Sequence, residues 1–319
     1  MARNVPPEID ALAMARSRAR LERRWSDADT LRAEIEAAGW RVVDTGTAYE
    51  LEPAHPPTLD LGGVVRYGRS DEVPSRLDDA AVGLASIVIV ATDWPEDVER
   101  ALAGLRQHAP DGVQVVVVGD APSEEQDEAL QALEAVEPGA PGLRTEVVRT
   151  SERLGSAAAL NAGIRRAEAG VVAVFDTSVE PIGDVVSPLV AALDDPGVGV
   201  AGGVGLRSAD LRRFEEVGPG EVTALAGYVL AFRRADYVAR GPLDEKFRFY
   251  RNLDIWWSLV LRDEGEGRPA RRAVALDLPI VRHEHRSWET TPEAERTRLS
   301  KRNFYRIIDR FGSRTDLGG

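Results

Sequence analysis

Three carboxylates stand in the same kind of place along the chain. Asp93 closes Ala91-Thr92-Asp93 after the run Ser86-Ile87-Val88-Ile89-Val90, Asp120 follows Val113 to Val118 and Gly119, and Asp176 opens Asp176-Thr177-Ser178 after Val171 to Phe175. Acidic side chains at the ends of buried strands can accept a ribose hydroxyl or a base N–H, or hold a cation through oxygen ligands. Taken singly, each equally well turns the chain or caps the next helix. The segment Ser151 to Gly163 adds a second chemistry. Gly155 permits a tight turn or a close backbone approach, and the Ala-rich helix after it would offer free N–H groups to a diphosphate. Further on, His283-Glu284-His285 follows the apolar run Leu276 to Val281; at most one of the two histidines is expected to enter a site, and a surface His-x-His is the plainer reading.

The elements that must position these groups are legible from residue 81 onward. Short, continuous β-branched runs at 86–90, 113–118, 145–148 and 171–175 alternate with amphipathic stretches near 96–108, 123–136 and 156–169. That alternation predicts an α/β domain over 81–319, with a mainly parallel sheet covered on both faces and ligands at the carboxyl ends of its strands. Residues 1–52 differ in texture. Ile9, Leu12, Ala15 and Ala19, then Ala28, Leu31, Ile35 and Ala38, recur at helical spacing, with Ser26 expected to cap the second helix and Gly39 to stop it. Trp40-Arg41-Val42-Val43 and Tyr49-Glu50-Leu51 are expected to pair across Thr45-Gly46-Thr47. The stretch 53–80, with four prolines and little periodicity, reads as a linker. Beyond Thr291 a basic amphipathic helix carrying Leu299, Phe304, Ile307, Ile308 and Phe311 is expected to cover the sheet rather than touch a membrane surface.

Composition bounds the chemistry. The absence of cysteine excludes disulfides, thiol nucleophiles and thiolate metal sites, so any metal must use oxygen or imidazole ligands. A net charge of −13 opposes broad nucleic-acid binding. No apolar run approaches the ~20 residues that span a bilayer, and the opening residues lack the apolar core of a signal peptide. The expectation is a soluble, cytoplasmic protein without a transmembrane segment.

From Ser86 to about Gly265 the chain resembles the family 2 glycosyltransferases of the GT-A fold, in particular their rhamnosyltransferase-like branch. The pieces that carry the resemblance fall in family order: Ser86 to Thr92 as the opening strand, Val115 to Asp120 as the strand ending in a nucleotide-binding acid, and Leu154-Gly155 through Asn161 and Gly163 as the Gly-rich segment. Val174 to Pro181 lies where the family carries its metal-binding acidic triplet. Gly227 to Arg234 and Gly241 to Phe247 match the acceptor side, and Asn252-Leu253-Asp254-Ile255 the motif of the catalytic base. The resemblance implies a GT-A mixed sheet and an inverting, single-displacement transfer from a UDP-, GDP- or dTDP-linked sugar to a glycan, lipid-linked or protein acceptor. It implies Asp254 as general base and Thr92, Asp120, Arg153, Gly155, Asn161, Asp176 and Ser178 around the donor. It also implies a divalent cation, manganese or magnesium, at Asp176 with His283 or His285, and an acceptor cleft bordered by Trp256 or Trp257, although tryptophans on a helix more often pack a core. The chain departs from the pattern at Ser178, where the family has its metal-gripping Asp, and less sharply at Gly119 and Leu253. Either Arg153, Arg251 or a helix dipole then replaces the metal, or catalysis has been lost.

Residues 11–45 show a second resemblance. Ala19-Arg20, Arg24-Trp25, Ala28-Asp29, Leu31-Arg32, Gly39 and Asp44-Thr45 are similar to the small C-terminal helical hairpin of cysteinyl-tRNA synthetases. Arginines on an amphipathic helix are usually a solvated face, so the expected role is docking or self-association. Three function classes follow: a hexose-transferring glycosyltransferase, a catalytically silent nucleotide-binding or scaffold relative, and an RNA- or protein-binding adaptor. Acceptor choice would rest on the loops around 205–222 and 264–272, which carry no readable code.

Overall fold

The computed structural model describes residues 5–46, 48–135 and 143–318. The chain opens with a helical hairpin, α1 (Pro7–Leu21) and α2 (Trp25–Ala37), followed by an antiparallel pair, β1 (Trp40–Thr45) and β2 (Ala48–Pro53). Pro7 pre-sets the first turn of α1, with Glu8 and Asp10 at its positive end and Arg18 and Arg20 at its negative end. Ile9, Ala13, Ile35, Trp40 and Val42 make its small core. The buried face of α1 is therefore set by Ile9, Ala13, Arg16 and Ala19, not by Ala15, which is exposed. Ser26 is not the cap of α2: Arg23 at φ 57° and a bond from Arg24 N to Ala19 O turn the chain earlier, so that the cap is Arg24, two residues before Ser26, and the helix begins at Trp25. Gly39, at φ 82°, ends that helix as expected. Of the expected hairpin turn, Thr47 lies outside the described residues.

The segment 53–80 differs from a linker. It holds β3 (Leu59–Leu61) and β4 (Val64–Tyr67), and β4 joins the main sheet beside the strand Arg144–Thr150. Ser151 N bonds Tyr67 O, and Val73 is fully buried. Strands of three and four residues are too short to show a period, which is why sequence pattern missed them. Gly68 marks the constraint, since a Cβ there would lie 1.9 Å from Pro56 O.

The α/β domain continues with β5 (Ala85–Ala91), α3 (Pro95–His108), β6 (Val113–Gly119), α4 (Glu124–Glu134), β7 (Arg144–Thr150), α5 (Ser156–Ile164) and β8 (Val171–Phe175). Next come β9 (Val179–Pro181), α6 (Val186–Leu193), β10 (Val198–Gly202), β11 (Gly205–Arg207), β12 (Glu215–Val217), β13 (Gly220–Val222), β14 (Ala224–Leu225) and β15 (Val229–Arg233). It ends with α7 (Arg234–Arg240), α8 (Leu253–Arg262), β16 (Arg272–Ala275), β17 (Ile280–Arg282), α9 (Arg286–Thr290) and α10 (Glu293–Phe311). Ten strands form one mixed sheet in the order β13-β16-β10-β15-β8-β5-β6-β7-β4-β3. The central β8, β5, β6 and β7 run parallel, with β15 antiparallel against β8.

Because side chains alternate across a strand, the continuous Val and Ile runs feed two cores. Val88, Val116 and Val118 pack with residues of α5, α8 and α10; Ile87, Ile89, Val115 and Val117 pack with residues of α3, α4 and α6. Gly163 lets α5 lie flat on the sheet: a Cβ would come within 2.5 Å of Val88 and 2.8 Å of Val118. The C-terminal α10 buries Ile307 and Phe311, the latter edge-on to Trp256 of α8 at 5.4 Å. Among the described residues no helix is long and apolar enough to cross a membrane.

In the hairpin, Arg16 grips Asp44 through both guanidinium nitrogens at 2.9 and 3.0 Å, and Arg20 also bonds it. The Arg16 hydrogen bond outweighs partial burial and lowers the Asp44 pKa to about 2. A depressed carboxylate stabilises the fold above its unfolded pKa near 3.8, and that contribution fades as pH falls towards 2. Asp44→Asn should therefore destabilise the hairpin at neutral pH by about 1 kcal/mol, a value discounted because the carboxylate is partly solvated. Amide exchange across 7–45 is the check; equal protection in variant and parent at pH 7 would refute the clamp.

Candidate functional site

The loop between β7 and α5 is fixed by Asp120. One Asp120 oxygen accepts from Leu154 N at 2.7 Å and from Thr150 Oγ1 at 3.0 Å; the other accepts from Gly155 N at 3.0 Å. Burial pushes the Asp120 carboxyl up, although the two backbone N–H groups and Thr150 pull the other way. The expected nucleotide-binding acid thus shapes the loop with three accepted bonds and keeps one acceptor position on Oδ2. Gly155 sits at φ 99°, and an added Cβ would lie 2.8 Å from Arg248 Cα. Asn161, also expected at the donor, is saturated within the scaffold: its amide donates to Leu243 O and Glu245, and accepts from Leu243 N and Tyr237 Oη. Four bonds exhaust a primary amide, so Asn161 ties α5 to the loop 241–247. At Gly119 a Cβ would meet Leu130 Cδ1 at 2.7 Å and Pro122 Cγ at 3.1 Å, so any larger residue there must displace the side chains packed on it.

Asp176 leaves the end of β8, where its N–H donates to Tyr228 O at 3.0 Å. Its Oδ1 is taken by Ser178, through the backbone N at 2.8 Å and the hydroxyl. That leaves Oδ2 facing His285 Nε2 at 3.2 Å. Burial alone would raise the Asp176 pKa, yet His285 and Ser178 together hold it below the ordinary value. Burial likewise presses His285 down, but the carboxylate of Asp176 outweighs it and raises the imidazole pKa. His285 is brought to the strand end because His283 N bonds Ser178 O at 2.7 Å and β17 pairs with β9. His283 itself turns to Glu180 at 2.7 Å and does not join the Asp176 cluster.

Three polar atoms around this point are buried without a partner: Thr92 Oγ1, Tyr250 Oη and His285 Nδ1. The Tyr250 ring stacks on His285 with centroids 4.4 Å apart. Burial first, and the charge of Asp176 second, push the Tyr250 hydroxyl pKa well up. Buried polar atoms are normally paired, so a cluster of unpaired ones marks a place where a polar ligand would complete the structure. Sequence reasoning did not single out Tyr250. Its position just before the Asn252 motif was the available signal.

Asp254 opens α8. Its Oδ2 accepts from Gly227 N at 2.8 Å and its Oδ1 from Ile255 N at 2.9 Å. Burial raises its pKa against those bonds and the nearby charge of Arg251. Gly227 leaves room for the carboxylate, since a Cβ would stand 3.3 Å from Asp254 Cβ. Asn252, at φ 69°, makes the left-handed step that starts the helix. Leu253 is a core residue, 4% exposed. Trp256 and Trp257 do not line a cleft. They are buried, Trp256 against Phe247 and Phe311 and Trp257 against Phe232 and Tyr237, because α8 turns its apolar face inward. Arg153 lies at the rim, paired to Asp93 at 2.9 Å. The strand ends therefore bring together Thr92, Asp176, Ser178 and His285, with Tyr250 stacked on His285 and Asp254 reached through the Gly227–Tyr228 backbone.

Residues 86–239 match the model of Glycosyl transferase family 2, and residues 2–49 match that of the Cysteinyl-tRNA ligase anticodon binding domain. Both resemblances seen in the sequence are thereby supported. A cysteine–tRNA ligase of Opitutus terrae is 48% identical over 50 residues, 16% of this chain and 11% of the ligase. Cysteine–tRNA ligase 1 of Burkholderia lata is 40% identical over 62 residues, 17% of this chain and 13% of the ligase. The chain thus spans little more than a tenth of the length of these two relatives. Among solved structures, GalNAc-T7 with UDP, GalNAc and Mn2+ is similar with a TM-score of 0.54 at 16% identity, over 72% of this chain and 48% of that one. The mannosyltransferase PcManGT from Pyrobaculum calidifontis, in complex with GDP-Man and Mn2+, is similar with a TM-score of 0.52 at 18% identity, over 77% and 71%. At these identities the likeness shows the fold: the α/β domain is GT-A.

Gly155→Ala forces a Cβ into a positive-φ position against the Arg248 backbone. It should destabilise the domain by about 2 kcal/mol, lowering the melting temperature by roughly 4–8 °C. Calorimetry decides it; an unchanged transition would show that the loop is not held as described.

Proposed function

We propose that this protein is an inverting glycosyltransferase that moves a sugar from a nucleoside diphosphate donor to an acceptor hydroxyl. The observation that carries the reading is the arrangement of Asp176 and Asp254 on either side of Gly227–Tyr228, next to the unpaired Thr92 Oγ1, Tyr250 Oη and His285 Nδ1. In this reading Asp254 is the general base. Each of its oxygens accepts one backbone N–H, so each keeps a lone pair for the acceptor hydroxyl. The hydroxyl attacks the anomeric carbon as Asp254 takes its proton, and the bond to the diphosphate breaks on the opposite side. Thr92, Tyr250 and His285 are then the donors and acceptors that orient the nucleotide sugar.

Asp176 and His285 suit a divalent cation that takes its remaining ligands from phosphate and water, since one carboxylate oxygen and one imidazole nitrogen already converge. Such a cation would offset the charge developing on the leaving diphosphate. Ser178 is too fully engaged with Asp176 to serve as the second acidic ligand would, so the motif is reduced to one carboxylate. Without the cation, protonated His285 and Arg251 are the positive groups nearest Asp176 and Asp254, which favours a site that tolerates metal removal.

A second reading concerns the hairpin, for which we infer a docking role from the pairing of its charges, although the family it matches is described as anticodon binding. Arg16 and Arg20 are paired to Asp44, Arg24 to Glu22 and Asp27, Arg32 to Glu36, and Arg41 to Glu52. Guanidiniums already neutralised are poor phosphate ligands, and among the described residues only Arg18 and Arg23 of this hairpin lack an ion pair, so a protein partner or a second copy fits this surface better than RNA.

UDP, GDP or dTDP should raise the melting temperature, with manganese adding to the shift without being required. No shift with any nucleotide would sink the donor site. Asp254→Asn should reduce turnover at least ~100-fold with donor binding retained. Because burial raises the Asp254 pKa, its base form appears only above the ordinary aspartate range, so kcat/KM should climb with pH through a value above 3.8. Unchanged turnover in the variant would refute the base.

A further inference from the structure

A cleft of about 570 Å³ opens where the start of α8 meets α9 and α10, lined by Arg251, Asn252, Trp288, Glu293, Arg296, Lys301 and Phe304 among others. Its charge runs against that of the whole chain, which carries −13. Three cations line it against a single carboxylate, Glu293. Among the described residues none of Arg251, Arg296 and Lys301 forms an ion pair, although most other arginines of the domain do. Arg251 and Arg296 instead lie over the Trp288 ring at 5.5 and 4.6 Å. Arg296 Nε and Ser300 Oγ are buried without partners beside it. Unpaired cations lining one cleft repel one another, and an anion entering it would relieve that repulsion.

The cleft is placed on the base side of the site. Arg251 and Asn252 precede Asp254 by three and two residues, whereas Asp176, Ser178 and His285 line a separate small pocket with Thr92 and Trp94. We infer that this cleft binds the acceptor and that the acceptor is anionic, carrying a phosphate or carboxylate held by Arg251, Arg296 and Lys301 while its sugar rests on Trp288 and Phe304. The inference rests on the glycosyltransferase reading for the word acceptor; the anion site itself does not. A phosphate and a carboxylate share the chemistry, and guanidinium groups serve both.

Calorimetric titration of the full chain separates the cases, with glucose 6-phosphate as the phosphate probe, glucuronate as the carboxylate probe and glucose as the neutral control. One of the two anions should bind and glucose should not, with affinity falling as salt is raised. Lys301→Glu, at an exposed position, should weaken the anion by roughly tenfold, and Arg296→Glu with Lys301→Glu by more, while UDP binding is unchanged. Equal binding of glucose and both anions, or variants that bind as the parent does, would overturn the site. Competition between UDP and glucose 6-phosphate would overturn its assignment to the acceptor. Attachment to phosphatidylglycerol vesicles that glucose 6-phosphate does not displace would replace the soluble occupant with a membrane. If glucose 6-phosphate binds but no nucleotide does, the anion site stands and the glycosyltransferase reading falls.

Discussion

The backbone of Gly227 and Tyr228 is the joint through which the two central carboxylates are placed. Tyr228 O receives the N–H of Asp176 at the end of β8, and Gly227 N reaches the side chain of Asp254 at the start of α8. One is a main-chain tether and the other a side-chain bond, and the residue that makes the second has no side chain to obstruct it. A carboxylate buried without such a donor would have to protonate or move to water. The short link from the two-residue β14 into β15 therefore fixes both carboxylates, the pair on which the proposed function rests.

Around that joint the electrostatics are divided rather than summed. Asp176 is held ionised by Ser178 and His285, while at the equally buried Asp254 the backbone N–H groups and Arg251 do not offset the cost of burial. Two acids of one type are thus driven in opposite directions by what touches them, the arrangement expected when one must stay charged and the other must take a proton. The basic cleft beyond Arg251 continues the gradient outward.

The scaffold consumes several residues that the family pattern would give to substrate. Asp120 organises a loop, Asn161 closes four hydrogen bonds inside the fold, and Trp256 and Trp257 fill the core between α8 and its neighbours. In each case burial decides. Polar groups out of water are bound to the nearest complementary partner, and large aromatic rings on the inner face of a helix are worth most where water is excluded.

The amino-acid sequence determined the alternation of buried strands and helices, because continuous β-branched runs and amphipathic stretches are local properties of period and composition. It also determined that acids would end β5, β6 and β8 at one edge, since parallel strands in register must finish together. The helical hairpin was legible for the same reason, down to its stop at Gly39. Tertiary structure alone decided which acids are free. Whether Asp120 faces a ligand or a loop depends on a segment some 34 residues away, and the pairing of His285 with Asp176 spans more than a hundred. The two strands within 53–80 were equally hidden, being stabilised by a neighbour, β7, rather than by any pattern of their own. So was the cationic cleft, whose residues come from the turn before α8 and from α9 and α10 and carry no common spacing. Long-range hydrogen bonds and burial choose among the roles that local chemistry leaves open.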